Sequence, residues 1–199
     1  MTAFALPPLA VDYDADWVEV ELRGDLSDWA KRAAGEVLAR SGNRSAGRAV
    51  RQIAAVLEGA ASVARQAQDA SMVLLLYPRL DQGVKAVARF CPVDLAGQEG
   101  AEAWVNMLAM VSVDLPGQDD AEITELATRA GTCRRVRQRV ARAPDGESPV
   151  IEQLAYVWVF PAYGAGVILT TAFADLVEAG RWRPAFDKLA AAVELEQPQ

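Results

Sequence analysis

The sequence predicts an α+β fold, an α/β sandwich in which an antiparallel sheet is covered by helices and an N-terminal helical hairpin is present. The sheet is predicted because short apolar runs are followed by turn residues and then by a second such run, as in antiparallel hairpins. The helices are predicted because apolar residues recur at three- and four-residue steps in segments between these runs. The length of 199 residues fits a single domain, 1–199.

The first predicted strand and helix follow a proline-containing lead-in of about fifteen residues. Val18, Val20 and Leu22 alternate with charged residues, which is typical of a strand with one buried face. Ser27 is a suitable N-cap for the next helix, and the Ser-Gly-Asn triplet at 41–43 ends it. The apolar stripe of this helix consists of Trp29, Ala30, Ala33, Ala34, Val37 and Leu38.

A longer helix is predicted from Ser45 to about Gln68. Its apolar face consists of Val50, Ile53, Leu57, Ala61 and Ala64. Because only a short Gly/Asn turn separates it from the preceding helix, the two should form a helical hairpin. We expect the alanine-rich stripe of this hairpin to lie on the sheet.

The middle of the chain predicts a β-hairpin and a third helix. Met72–Tyr77 is a continuous apolar run suited to a central strand, 78–83 is a turn, and Val84–Val93 is the return strand. Glu99–Val111 carries apolar residues at helical spacing, and a Pro-Gly pair at 116–117 follows it.

The C-terminal part predicts four strands and a final helix. The strands are Glu122–Thr128, Thr132–Ala141, Val150–Phe160 and Val167–Phe173, with a Pro- and Gly-containing loop at 143–149. The final helix is predicted from the region of Trp182 to Glu194. Its buried face should consist of Phe186, Leu189, Ala190 and Val193.

One uncharged segment, Gln153–Ala174, is long enough to span a bilayer. It contains Pro161 and two glycines next to aromatic residues, which is turn chemistry between two strands. Its flanks are Glu152 and Asp175, and no basic anchor lies close by on the amino side. We therefore expect a buried β-hairpin instead of a membrane span.

The composition excludes several classes of function. The chain contains no histidine, so the usual Ser-His-Asp and Cys-His triads and the histidine-rich zinc sites are excluded. A net charge of −7 argues against general binding to nucleic acid or to an anionic membrane, because long-range repulsion opposes the encounter. The N-terminal segment 1–10 has no basic residue, which predicts a cytoplasmic protein without a secretory signal.

Two weak motifs lead to no predicted metal or cofactor. Asp12, Asp14 and Asp16 match the first half of a calcium loop, but Trp17 stands where that loop needs glycine. Gly164-Ala165-Gly166 at 164–166 resembles part of a dinucleotide fingerprint, but a strand-forming sequence follows it, so a hairpin turn is the better interpretation.

The two cysteines, Cys91 and Cys133, match no zinc or redox spacing. We interpret them as half-buried strand thiols. A disulfide between them requires that their strands be neighbours, which the sequence leaves open.

The strongest charge feature is the range 129–142, which holds six arginines and no acidic residue. On the predicted strand Arg135, Arg137 and Arg139 share one face with Cys133, whereas Val136, Val140, Arg134 and Gln138 share the other. Such a ridge is suited to gripping an anionic ligand, RNA or an acidic partner. The alternative, which we favour, is a solvated sheet face with cross-strand pairing to Glu19 and Glu21.

Three aromatic residues, Tyr156, Trp158 and Phe160, lie on one face of the predicted strand Val150–Phe160. They are suited either to line a pocket or to form part of the core. The core is the better interpretation, because aromatic residues at period two usually face the packed side of a sheet.

The segments ITELATRAGTCRRVRQRV and EQLAYVWVFPAYGAGVILTTAFADL, followed by the amphipathic terminal helix, resemble uncharacterised actinobacterial α/β-sandwich proteins with a PsbP-like or LpqN-like fold. The resemblance covers mainly the C-terminal third. It implies a non-catalytic accessory or protein-binding module, such as one of a bacterial secretion or assembly system, with a protein partner. The partner-binding residues would be the six named above, namely Arg135, Arg137, Arg139, Tyr156, Trp158 and Phe160.

A small-molecule-binding pocket protein, or a histidine-free enzyme of the helix-grip type, is the alternative. The order of strand, two helices, further strands and a closing helix is similar to such folds. The long helix at 45–68 argues against it. We therefore favour a binding protein over an enzyme, with no catalytic residue, cofactor or metal assigned and the oligomeric state left open.

An excess of arginine over lysine, seventeen to three, indicates a GC-rich bacterial genome.

Overall fold

The computed structural model describes residues 9–42, 47–66, 70–95, 121–141 and 150–195, and these contain three α-helices and nine strands. The helices are α1 (Leu26–Arg40), α2 (Gly47–Arg65) and α3 (Leu176–Ala191). The strands are β1 (Leu9–Val11), β2 (Trp17–Glu19), β3 (Met72–Leu76), β4 (Ala86–Asp94), β5 (Glu122–Thr128), β6 (Gly131–Ala141), β7 (Val150–Phe160), β8 (Ala165–Phe173) and β9 (Val193–Leu195).

Seven strands form one antiparallel sheet in the order β2-β3-β4-β8-β7-β6-β5, and β1 pairs with β9 in a separate two-stranded sheet. Helices pack on this sheet, so the predicted α+β class is confirmed. The chain divides into two compact units, Met1–Asp12 with Cys91–Gln199, and Tyr13–Phe90. The single domain of 1–199 stays a prediction.

The unit Tyr13–Phe90 is built around the helical hairpin. The predicted stripe of α1 is buried, and so are Ile53, Ala54, Leu57, Ala61 and Ala64 of α2. These side chains share one core cluster with Val73 and Leu75 of β3, which confirms that the hairpin lies on the sheet. Trp29 is fixed further, because its indole N–H donates to the Glu19 carbonyl at 3.0 Å.

The N-cap of α1 differs from the prediction. Asp25, two residues before Ser27, has extended backbone angles, and its carboxylate accepts from the Asp28 N–H at 2.9 Å. The helix therefore begins at Leu26, and Ser27 lies within its first turn. Hydrogen bonds from backbone N–H groups make a carboxylate more acidic, and the pKa of Asp25 is lowered chiefly by the Asp28 N–H.

The first β-hairpin matches its prediction. Strand β3 lies between β2 and β4, and its residues 73–76 are at most 1% exposed, as expected of a central strand. The predicted helix Glu99–Val111 and the loop 143–149 lie outside the described residues, as do both predicted ends of the second helix, Ser45 and Gln68.

The unit that contains Cys91–Gln199 holds the second β-hairpin. The uncharged segment divides into β7 and β8, which pair from Glu152↔Phe173 to Phe160↔Ala165, so the predicted hairpin is confirmed. A short 3-10 turn joins them and ends at Gly164, which has the left-handed φ of 57° that glycine adopts without strain. No helix among the described residues is long and apolar enough to cross a membrane.

Gly166 has a different role from Gly164. A Cβ at this position would lie 3.0 Å from the Trp158 carbonyl oxygen and 3.4 Å from a methyl carbon of Leu95. The Gly-Ala-Gly triplet therefore serves a tight turn and a close approach between strands, which confirms its interpretation as hairpin chemistry.

The final helix begins earlier than predicted. Helix α3 starts at Leu176 instead of near Trp182, and Asp175 caps it by accepting from the N–H groups of Val177 and Glu178. It ends at Ala191, so Val193 belongs to β9 and not to the helix, although it is fully buried as expected. Strand β9 pairs with β1. Strand β1 lies in the segment predicted to be a lead-in without regular structure.

Candidate functional site

The predicted arginine face and the predicted aromatic face are one and the same surface. In the β6–β7 register, Arg135 stands opposite Tyr156, and Arg139 stands opposite Glu152. Because residues two apart share a face, the arginines of β6 and the aromatic residues of β7 point to the same side of the sheet. Helix α3 packs on this side, where Phe186 meets Phe173 edge to face at 5.7 Å between ring centroids.

Between this face and α3 lies a set of charged side chains that we call the arginine layer. It consists of four arginines and three acidic residues, namely Arg135, Arg137, Arg139, Arg183, Glu122, Glu152 and Asp187. Three of the arginines come from β6, and Arg183 and Asp187 come from one side of α3. The four-residue step between the last two places both side chains on the same helix face.

Asp187 forms the first centre of the layer. Nη1 of Arg135 donates to both of its carboxylate oxygens, at 3.0 and 2.9 Å, and the Tyr156 hydroxyl donates to Oδ1 at 2.8 Å. Nη2 of Arg135 also reaches the Thr124 hydroxyl oxygen at 3.4 Å. One helix carboxylate thus receives donors from two neighbouring strands, which fixes α3 on the sheet.

Glu152 forms the second centre, and it is completely buried. Its Oε2 accepts from Arg137 at 3.0 Å and lies 3.5 Å from Nε of Arg139, while its Oε1 accepts from Arg183 at 2.6 Å. Arg137 also donates to Glu122 at 2.9 Å. A buried carboxylate is tolerated only when it is paired and hydrogen-bonded, and three guanidinium groups meet that need here.

The protonation states in the layer follow from these contacts. Burial alone would raise the pKa of Glu152, but hydrogen bonds from Arg137 and Arg183 and their positive charges lower it below its ordinary value. The hydrogen bond to Glu152 raises the pKa of Arg137 further above neutrality. Burial, the charge of Asp187 and the hydrogen bond to it raise the pKa of Tyr156. Glu152 is therefore ionised and Tyr156 protonated at neutral pH.

The three predicted arginines differ in accessibility. The exposed fraction of the side chain is 14% for Arg135, 21% for Arg137 and 40% for Arg139. The predicted cross-strand partners, Glu19 and Glu21, are wrong: the arginines pair instead with Glu122, Glu152 and Asp187. The local sequence could not show this, because strand order and the position of α3 determine which acids meet the ridge.

The three predicted aromatic residues belong to the core. Tyr156 and Trp158 are completely buried and Phe160 is 7% exposed, so none of them presents a surface to a partner in this structure. The Trp158 indole N–H donates to the Thr128 hydroxyl at 3.0 Å, which satisfies its polar atom inside the core.

The two cysteines lie on strands that are not neighbours, so they form no disulfide. Cys91 is on β4 and Cys133 is on β6, and β8 and β7 separate these strands in the sheet. Cys133 is completely buried beside the arginine layer, and burial raises the pKa of its thiol to about 12. At neutral pH it is therefore a thiol and not a nucleophilic thiolate.

Two aspartates of the weak calcium motif, Asp12 and Asp14, have partners within the protein. Asp12 pairs with Arg129 at 3.4 Å, and Asp14 accepts from the backbone N–H of Asp16 at 3.1 Å. In the part of the chain that the structure describes, no three Asp, Glu or Cys side chains are grouped so that they could hold a metal ion.

Sequence reasoning missed Glu152, Asp187 and Arg183 as members of the site. A signal for the first was available: Glu152 shares its strand face with Tyr156 and Trp158, so a lone acid interrupts an apolar face. A second signal was the four-residue spacing of Arg183 and Asp187.

The chain was compared with protein families, curated proteins and solved structures. No protein-family model matches the chain, and no curated protein matches it. Among solved structures, it is similar to PA94 from Pseudomonas aeruginosa, a protein of unknown function, at 13% sequence identity and a TM-score of 0.44. That alignment covers 57% of this chain and 74% of the other.

Proposed function

We propose that this chain is a non-catalytic binding module that recognises an acidic segment of a protein partner at the exposed margin of the arginine layer. The observation that carries the proposal is the exposed cationic margin of the layer. Arg139 is the most exposed arginine of the layer, at 40% of its side chain, and its Nε lies 3.5 Å from the Glu152 carboxylate. A guanidinium group at such a margin can bind a further carboxylate.

The protonation states support binding over catalysis. General acid–base chemistry needs a group that titrates near the working pH. The buried groups of the layer are held away from that range: the pKa of Glu152 is lowered, and those of Tyr156 and Cys133 are raised. These shifts suit a layer that holds fixed charges in place.

The finer parts of this proposal come from the sequence. A cytoplasmic location, a bacterial accessory role in secretion or assembly, and the PsbP-like or LpqN-like relationship stay predictions. The acidic net charge of −7 supports a protein partner over nucleic acid. It also implies that the arginine layer attracts acidic groups only at short range, within about one Debye length.

The burial of each arginine determines which variant suits the test of this proposal. Arg135 and Arg137 are mostly buried and make ion pairs at 2.9 and 3.0 Å, so Arg139→Gln, which removes the more exposed arginine at 3.5 Å from Glu152, is the appropriate variant. The control is Arg181→Gln, which removes an exposed arginine that also pairs with an acid, Glu178, on α3. A fluorescent hexaglutamate peptide serves as the probe, and anisotropy at low and high salt is the measurement.

We expect Arg139→Gln to weaken peptide binding about threefold at low salt, which is the size of a partly exposed ion pair. Arg181→Gln should bind like the unmodified chain, and circular dichroism should show both variants folded. Equal binding by the two variants, or no binding of the peptide at low salt, would contradict the proposal.

A second candidate, a small-molecule-binding protein, is favoured by one specific observation. The unit Tyr13–Phe90 contains a cleft of about 550 Å³, which lies within the size range of ligand sites.

A further inference from the structure

The cleft lies between the helical hairpin and the loop that joins β3 to β4. Its walls come from the C-terminal part of α1, from the first half of α2 and from residues 77–83. The apolar part consists of Leu38, Ala49, Ile53, Val56 and Leu80. Val56 is 45% exposed, so an apolar wall of the cleft is open to solvent.

The polar part of the lining is acidic or neutral. It consists of Gln52, Tyr77, Asp81 and Gln82, and the described lining contains no arginine or lysine. Tyr77 is almost fully buried, and its hydroxyl donates to the Leu80 carbonyl at 3.4 Å. Burial and the negative charge of Asp81 raise the pKa of Tyr77, so this phenol stays neutral.

Besides the Asp81 carboxylate, the side-chain oxygen of Gln82 is a hydrogen-bond acceptor at the cleft. Its backbone N–H donates to the Arg79 carbonyl, which holds the residue in the loop. Its side-chain oxygen is shielded from solvent and accepts no hydrogen bond from any residue that the structure describes. Burying an acceptor that receives no hydrogen bond costs free energy. Rotation of the Gln82 amide toward a hydrogen-bond donor bound in the cleft would therefore be favourable.

We propose that the cleft binds a small amine that carries an aromatic or aliphatic body. The body would lie against Ile53 and Val56, and the ammonium group would lie between the Asp81 carboxylate and the Gln82 amide oxygen. A carboxylic acid or phosphate would meet the negative charge of Asp81, and no described lining residue supplies a compensating cation, so it would be disfavoured. This site is separate from the arginine layer, and the proposal does not depend on the acidic-partner proposal.

The test compares three probes that share one apolar body: phenylbutylamine, phenylbutanol and phenylbutanoic acid. Isothermal titration calorimetry with the full chain measures each affinity. We expect the amine to bind most tightly, the alcohol more weakly and the acid not at all. Binding of the acid as tightly as the amine, or no binding of the amine up to its solubility, would overturn the proposal.

Two pairs of variants locate the site. Val56→Trp should fill the cleft and abolish binding of both the amine and the alcohol. Val63→Trp is the matched control, because Val63 lies on the same helix, is 60% exposed and does not line the cleft. Both substitutions are at exposed positions, and thermal melting checks that both variants fold. Equal effects of the two tryptophans would overturn the site.

Asp81→Asn tests the charge. This residue is exposed and lies in a turn, so the substitution should leave folding intact. The affinity for the amine should fall by up to about fivefold, the size of an exposed ion pair, while the affinity for the alcohol stays unchanged. An unchanged affinity for the amine would show that Asp81 does not receive the ammonium group.

Discussion

Tyr156 donates its hydroxyl proton to the carboxylate of Asp187 at 2.8 Å, and this contact joins the centre of the sheet to α3. Both residues are also tied to Arg135: Asp187 through a salt bridge at 2.9 Å, and Tyr156 as its cross-strand neighbour. A phenol, a carboxylate and a guanidinium group therefore form one hydrogen-bonded unit within the arginine layer. In a site of low dielectric constant, each member depends on the other two being present.

Tyr156→Phe should destabilise the protein without changing its shape. The variant keeps the buried ring and removes one hydrogen bond to a charged acceptor, which costs about 1.5 kcal/mol of the free energy of unfolding. Urea unfolding followed by circular dichroism measures this. The control is Tyr13→Phe, which removes a solvent-exposed hydrogen bond to Glu19 and should cost less. Equal losses would show that burial does not strengthen the Tyr156 contact.

Glu152→Gln should have a larger effect, because it leaves Arg137, Arg139 and Arg183 around a neutral group. Removing one partner of a buried ion pair typically costs about 3 kcal/mol or more of unfolding free energy. Glu125→Gln is the control, since Glu125 pairs with Arg134 at the surface, where such pairs contribute little. If the two variants lost the same small amount of stability in urea, Glu152 would not be the centre of the layer.

The same carboxylate predicts a pH dependence. The arginines lower the pKa of Glu152 below its ordinary value of 4.5, so its ionised form stabilises the folded state at higher pH. This contribution is complete above the unfolded-state pKa and is lost as the pH falls through the lower folded-state pKa. The difference in unfolding free energy between the unmodified chain and Glu152→Gln should therefore be constant above about pH 6 and shrink below 4.5. Urea unfolding at several pH values measures it, and a difference that grew toward low pH would contradict the assignment.

The strands could be predicted well because their signals are local. Glu122–Thr128 and Val150–Phe160 have the bounds expected from turn residues and alternating polarity, and the buried run at Met72 forms an interior strand with a neighbour on each side. Short strands carry little such signal. Strands β1 and β9 have three residues each, and they pair with one another although almost the whole sequence lies between them.

The start of helix α3 and the arginine layer could not be predicted, because they depend on what lies nearby in space. Gly180 and Pro184 both disfavour a helix interior, so the sequence indicated a start only near Trp182. Packing of Ala179 and Phe186 against the sheet outweighs that preference. Once the helix extends this far, Arg183 and Asp187 meet the ridge of β6, and a face expected to be solvated becomes half-buried.

Mutagenesis can distinguish Asp25, the N-cap of α1 in the structure, from Ser27, the N-cap that the sequence predicts. Asp25→Ala should lower the melting temperature, because the Asp28 N–H loses its acceptor. Ser27→Ala should leave it unchanged or raise it slightly, since alanine has the higher propensity within a helix. Thermal melting followed by circular dichroism compares the two variants. A larger loss from Ser27→Ala would restore Ser27 as the cap.

The burial of Cys133 predicts that its thiol resists modification in the folded protein. A pKa of about 12, against 9.0 for an ordinary thiol, leaves about a thousandfold less thiolate at pH 8, and the thiolate is the reactive form. Iodoacetamide treatment of the native chain, followed by peptide mass spectrometry, should therefore find Cys133 unmodified. In urea the same reagent should modify it fully, which serves as the control for reagent and peptide detection. Rapid modification in the native protein would mean that the β6–β7 region beneath α3 opens far more often than its packing implies.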